Sequence, residues 1–171
     1  MNNITFCAFD KRYAEDFKRL NLEWIEQYFV VEEHDLEQLS NPQEYIIDKG
    51  GEILFALCNN EVAGVCALIK TGANEYELAK MGVYPKYQGM QVGYRLGLYA
   101  IETAKRLMAT RLWLESNRIL KPALHLYEKL GFKEIPVTDT PYARADIRME
   151  LLLNSSSAGN CRQAYGSCAS V

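Results

Sequence analysis

Basic residues are not in excess in this 171-residue chain: 19 Lys and Arg stand against 22 Asp and Glu, for a net charge of -3. That balance argues against a nucleic-acid partner. Long apolar runs are missing too, and none approaches the length that crosses a bilayer. The start, Met-Asn-Asn-Ile-Thr-Phe-Cys, has neither the basic region nor the apolar core of a secretory leader. A cytoplasmic protein without a membrane partner is therefore expected. The five cysteines include no C-x-x-C pair. Cys7, Cys58 and Cys66 lie in apolar, strand-like surroundings and read as buried thiols, not as nucleophiles or metal ligands, which suits a reducing compartment. No metal is expected. Two phosphate-binding signatures are absent: there is no G-x-x-x-x-G-K-S/T, and no G-x-G-x-x-G followed by an acidic residue at dinucleotide spacing.

What is present is the material of one mixed α/β domain over residues 4–153, long enough to bury a core without staples. Residues 4–9 read as a strand. Asp10 is placed to cap the helix after it, where Tyr13, Phe17, Leu20, Trp24 and Tyr28 recur at spacings of three and four. That stripe reads mainly as core, with residues 26–29 the part expected near a site. Glu32, Glu33, Asp35 and Glu37 surround a short helix at 35–39. Acidic residues there complement a helix start and read as solvated, the alternative being attraction of a cationic amine. Strands at 52–58, 62–70 and 75–83, joined by short turns, form an antiparallel meander. A helix from about Gln91, a strand at 111–116 and a helix at 119–130 ended by Gly131 follow, and a hairpin of 132–137 with 145–153 closes the domain. The order is β-α-α-β-β-β-α-β-α-β-β, a mixed sheet with helices packed on its faces. Residues 154–171, rich in Ser, Ala, Gly and Asn, read as a disordered tail in which Cys161 and Cys168 are incidental.

The chain is organised around residues 81–98. Pro85 stops the strand that ends at Val83, because it has no N–H to donate. Gly89 and Gly93 let backbone approach a ligand, and the helix start behind them favours phosphate oxygens. Taken as glycine spacing, this is equally an ordinary strand-to-helix turn. The stretch resembles the acyl-CoA-binding motif of the GNAT N-acetyltransferase superfamily, Val-x-Pro-x-x-Gln/Arg-x-x-Gly-x-Gly/Ala, at Val83, Pro85, Gln88 and Gly93. Gln91 stands where that motif has its first glycine. A second stretch, residues 122–132 (Pro-Ala-Leu-His-Leu-Tyr-Glu-Lys-Leu-Gly-Phe), resembles the family's second signature, in the right order and separation.

The resemblance implies the GNAT fold and acetyl-CoA as co-substrate, with direct acetyl transfer to a primary amine of a small molecule or peptide; a homodimer is compatible with it. It implies a pantetheine arm paired with the backbone of Met81, Gly82 and Val83, and a pyrophosphate on the N–H groups of Gln88, Gly89, Met90, Gln91, Val92, Gly93 and Tyr94. An ordinary backbone conformation is expected at Gln91. Lys86, Arg95 and Lys121 are candidates for the nucleotide end, and Asn117 for a pantetheine contact. Tyr127, matching the tyrosine of the second signature, would protonate the departing thiolate. Glu77 and Glu115, on the strands that flank the cleft, are the candidate bases, with Glu77 preferred. Plain alternation puts Glu77 on the face of Ala79, Met81 and Val83; a bulge would invert that parity. A non-catalytic acyl-CoA-binding or sensing domain is the alternative that the same fold could house.

Overall fold

The apolar run Ile-Leu-Phe-Ala-Leu-Cys at 53–58 has no polar face, and the structure shows why: both faces of its strand are covered. The structure is a computed structural model that describes residues 3–154; the tail expected to be disordered lies, from 155 onward, outside the described residues. Strand β2 (Glu52–Cys58) sends Leu54, Ala56 and Cys58 into one core and Ile53, Phe55 and Leu57 into the other. The first core is closed by α3 (Val92–Arg106) and α4 (Lys121–Lys129), the second by α1 (Ala14–Tyr28) and α2 (Glu33–Ser40).

Seven strands form one sheet in the order β1-β2-β3-β4-β5-β7-β6, with β1 at Ile4–Ala8, β3 at Glu61–Gly72, β4 at Glu75–Val83, β5 at Arg111–Ser116, β6 at Lys133–Ile135 and β7 at Ile147–Leu152. All neighbours are antiparallel except β4 and β5. The β-α-α-β-β-β-α-β-α-β-β order is the one expected. Tight turns add detail: Asn59 and Asn60 both take positive φ in the β2–β3 hairpin, as Asn tolerates. Asp10 caps a single 3-10 turn (Lys11–Tyr13) ahead of α1 by accepting from the Arg12 N–H at 2.8 Å. Cys58 and Cys66 are buried thiols as expected, whereas Cys7 is only half-buried on the edge strand.

Two irregularities of β4 build the functional end of the molecule. First, β4 and β5 pair over three positions only, Glu75–Arg111, Tyr76–Leu112 and Glu77–Trp113. Beyond Glu77 the two parallel strands part, so residues 78–83 have β3 on one side and a gap on the other. Second, β3 and β4 slip register between the pairs Ala67–Ala79 and Val65–Gly82. Lys80 and Met81 thus both oppose Cys66, a β-bulge, with Lys80 at φ +52. Of the two parities left open for this strand, plain alternation and inversion by a bulge, the structure has the bulge. Glu77 and Ala79 share the α1–α2 face with their partners Ile69 and Ala67, whereas Met81 and Val83 turn to the α3–α4 face.

Candidate active site

The gap between β4 and β5 is a cleft of about 240 Å³, walled by Met81, Gly82 and Val83 of β4, Ser116 at the end of β5 and Asn117 after it, and Tyr127 of α4. Trp24 and Phe29 line it from the α1 side, so the end of the aromatic stripe reaches the site while Phe17 and Leu20 stay in the core. Tyr28, expected with that end, is instead half-exposed. Of the loop from Gln88 to the start of α3, Gln88 lines the cleft, and residues 89–94 lie outside its lining. Gln88 turns back to donate its side-chain amide to the Val83 carbonyl at 3.4 Å. Gly89 has φ +81, and a Cβ there would meet nothing within 4 Å, so the loop is open on that side. Met90 packs on the α3–α4 core.

Gln91 corrects one expectation. Its backbone is left-handed (φ 58, ψ 20) at the N-cap of α3, not ordinary. The geometry that glycine adopts freely is imposed here on a glutamine, at a cost on the order of 1 kcal/mol. The first backbone bond of α3 runs from Arg95 N–H to the Gln91 carbonyl at 3.0 Å, leaving the N–H groups of Val92, Gly93 and Tyr94 ahead of the ladder. A Cβ at Gly93 would lie 3.4 Å or more from its neighbours, an ordinary contact, so packing alone does not demand glycine there. Two of the basic candidates already have partners. Lys86 Nζ lies 2.7 Å from Glu61, and the Arg95 guanidinium sits over the Phe6 ring. Lys121 is exposed.

Tyr127 is held by the way α4 ends. Gly131, at φ +100, donates to the Glu128 carbonyl at 3.0 Å, and Phe132 N–H donates to the Tyr127 carbonyl at 3.0 Å. This is a Schellman motif, and the contact that accompanies it is the Phe132 ring edge-on to Tyr127, centroids 6.1 Å apart. This turn thus fixes the ring that faces the cleft. Burial pushes the Tyr127 hydroxyl up to about 12, so at neutral pH it is a proton donor.

The two candidate bases differ in their surroundings. Glu115 is buried and engaged: Arg148 of β7 and the Thr140 hydroxyl both donate to it. Glu77 lines the cleft, and no described residue hydrogen-bonds its carboxylate. Burial first, and the nearby charge of Glu115 second, raise Glu77 to about 7, against the pull of Lys80 and Arg148. A half-buried carboxylate poised near neutrality is suited to accepting a proton. Asn117 also lines the cleft, but its side chain donates to the Arg144 carbonyl at 2.7 Å and accepts from Ile119 N–H at 2.9 Å, which shapes the β5–α4 turn.

A third group was not foreseen. Asp35 is fully buried, which corrects the expectation of a solvated acidic cluster. It accepts from Lys80 Nζ at 2.7 Å, from Arg144 Nη1 and Nη2 at 2.8 and 2.7 Å, and its second oxygen also receives the Glu32 backbone N–H at 3.0 Å. Glu32 pairs with Arg144 as well, at 3.0 Å. Tyr142, from the β6–β7 loop, receives Lys80 Nζ at 2.9 Å. Burial works against the Asp35 charge, but the Arg144 hydrogen bonds and the Lys80 charge outweigh it and hold the carboxyl well below its usual range. Lys80, Tyr142 and Arg144 all line the cleft beside Glu77. A single lysine in a strand and an arginine in a loop gave no periodic signal, and only their shared partner on α2 makes them a unit.

The model of the Acetyltransferase (GNAT) family matches residues 17–132, which run from α1 to the Schellman turn after Tyr127. The chain is 34% identical over 103 residues to the uncharacterized N-acetyltransferase YvbK of Bacillus subtilis (strain 168), covering 58% of this chain and 66% of that protein. The match thus spans just under two thirds of YvbK's own length. Among solved structures, an acetyltransferase of the GNAT family from Staphylococcus aureus Mu50 superimposes with a TM-score of 0.80 at 21% identity, over 89% of this chain and 100% of that one. YncA from Salmonella typhimurium, a putative acetyltransferase determined with its cofactor acetyl-CoA, superimposes with a TM-score of 0.70 at 18% identity, over 92% and 98%. At such identities the likeness is one of fold. With a family match over more than half the chain, a parted β4–β5 pair and the loop that follows it, this protein belongs to the Acetyltransferase (GNAT) family.

Proposed function

We propose that the chain is an acetyl-CoA-dependent N-acetyltransferase that carries the acetyl group directly to a primary amine of a small molecule or peptide. The observation that carries the reading is the cleft itself. It places a carboxylate poised near neutrality on the α1–α2 side and a protonated phenol on the α4 side of one gap in the sheet.

The residues present suit the co-substrate. A gap beside β4 offers strand edge to an extended arm, Gly89 leaves the loop open, and the N–H groups of Val92, Gly93 and Tyr94 suit an anion. When bound, acetyl-CoA supplies an activated thioester carbonyl. Glu77 takes a proton from the incoming ammonium, whose unperturbed pKa near 10.4 makes the neutral form scarce at pH 7. Backbone N–H groups of Met81–Val83 are the donors available to a developing oxyanion. Tyr127 gives its proton to the leaving sulfur. The charge pattern fits a single ammonium: Glu115 is matched by Arg148, and Glu32 and Asp35 by Lys80 and Arg144. Glu77 is the carboxylate of the lining left over.

The deciding experiment is acetyl-CoA consumption across a panel of amines, amino acids and peptides, with mass detection of the acetylated product. Binding of acetyl-CoA without its consumption by any acceptor of the panel would return the protein to the non-catalytic alternative. Two further results are expected. Acetyl-CoA at about 100 times its Kd should stabilise the wild-type protein by about 2.7 kcal/mol. Gly93→Asp, which sets a carboxylate at the helix start, should erase that thermal shift; an undiminished shift would remove the loop from the site. Tyr127→Phe should keep acetyl-CoA affinity while kcat falls on the order of 10²-fold. Normal turnover in that variant would leave Tyr127 a packing residue.

A further inference from the structure

Lys80 carries costs that the fold alone does not explain. Its backbone is left-handed, which costs a residue with a Cβ roughly 1–2 kcal/mol. It is only 6% exposed, and a buried ion pair is no more stabilising than well-packed apolar residues. Strain and buried charge of this kind concentrate where a site uses them. The bulge turns the Lys80 side chain onto the face that carries Glu77, three residues earlier. There Nζ spends one N–H on Asp35 and one on Tyr142, and a third remains.

We propose that Lys80, locked in place by Asp35, is a positioning residue that keeps Glu77 ionised and so able to take the proton of the acceptor ammonium. The proposal rests on the reading of Glu77 as the base.

The groups around Glu77 set the sign of the effect. From β5 comes Glu115, and from β7 its partner Arg148. The β6–β7 loop brings the Tyr142 hydroxyl, which burial keeps neutral, and Arg144. Behind them on α2 lie Asp35 and Glu32. The α1 side brings Trp24 and Phe29, which carry no charge. Burial and Glu115 favour the protonated acid; Lys80 and Arg148 favour the carboxylate. Arg148 is matched one to one by Glu115. Lys80 and Arg144 together face Asp35 and Glu32, and of the two cations that favour the Glu77 carboxylate Lys80, which the bulge sets on the same face of β4, pulls the harder. Burial pulls the Lys80 ammonium below its ordinary range, and the charge and hydrogen bond of Asp35 oppose that pull.

The test uses Lys80→Met and Lys80→Arg in the full chain, with two readouts: the acid limb of kcat/KM against pH, and the carboxyl titration of Glu77 by carbon NMR, assigned with Glu77→Gln. In Lys80→Met both should move up by about one pH unit, and Lys80→Arg should bring both back. Asp35 keeps its Arg144 bonds in either variant, which favours a folded product. If the methionine variant does not fold, Lys80→Gln, neutral and still able to donate to Asp35, carries the same readouts. An unmoved limb and titration, with kcat lowered evenly at every pH, would reduce Lys80 to a structural part and overturn the proposal. A failure of the base reading looks different. There Glu77→Gln would retain the wild-type acid limb, while the NMR titration would still show whether Lys80 acts on the carboxyl.

Discussion

Glu77→Gln is expected to lower kcat/KM by on the order of 10²–10⁴-fold at neutral pH, the range in which general bases contribute. The loss should be largest at low pH and recover partly as pH rises toward the amine pKa, where free amine no longer needs a base. An even loss at all pH values would point to substrate positioning instead. The same substitution should stabilise the fold, and the sign follows from the titration. The folded carboxyl titrates near 7, above its ordinary 4.5. The folded state therefore holds the proton more tightly, and the stability tied to it is complete below about 4.5 and lost as pH rises through 7. At pH 8 the ionised carboxylate costs about 1–3 kcal/mol, allowing for screening in a half-buried cleft, and glutamine removes that cost. Thermal melts of both proteins should thus coincide near pH 4.5 and separate at pH 8, the inactive variant being the more stable. Coincidence at both would mean that Glu77 is an ordinary exposed carboxylate.

Asp35→Ala should be the most destabilising exchange around the site. It leaves Lys80 without a paired carboxylate and Arg144 with Glu32 alone, and removing one partner of a buried pair typically costs about 3–5 kcal/mol. In a domain of this size that lowers Tm by on the order of 10 °C. The sign with pH is opposite to that of Glu77. Asp35 is held below the usual carboxylate range, so its contribution is present at neutral pH and fades as acid carries the pH below about 4 toward its folded value. The gap between wild type and variant, measured by denaturant melts, should therefore narrow on acidification. A variant as stable as wild type at pH 7 would show that the ion cluster returns no more than its desolvation costs.

How much of this could be read in the chain depended on distance along it. The loop from Gln88 to Tyr94 and the turn after Tyr127 are local, with Pro85, Gly89 and Gly131 each in its conformational role. They were therefore visible as text. The element order was visible as well, because residues such as Leu54 and Phe55 show apolar burial on both sides and α3 shows a helical stripe. Three features were not. The Lys80 bulge is a property of pairing between β3 and β4, which no single strand announces. The Gln91 backbone is set by the turn it must complete, not by its own preference. The Asp35 cluster joins residues 45 and 109 positions apart, so each looked like an ordinary surface charge until α2 and the β6–β7 loop met over β4.

The short seam between β4 and β5 has a mechanical consequence. Four strands, β1 to β4, make one raft and β5, β7 and β6 make another, and among the described residues the strand pairing between them is limited to the rungs at Glu75, Tyr76 and Glu77. A guest lying along residues 81–83 supplies missing rungs to the open half of that seam. It is then held by the protein and at the same time clamps it. Amide protons of residues 78–83 and 114–116, on the two lips of the gap, should accordingly slow their exchange with solvent more than those of β1 or β2 when the cleft fills, and release the protection when product leaves.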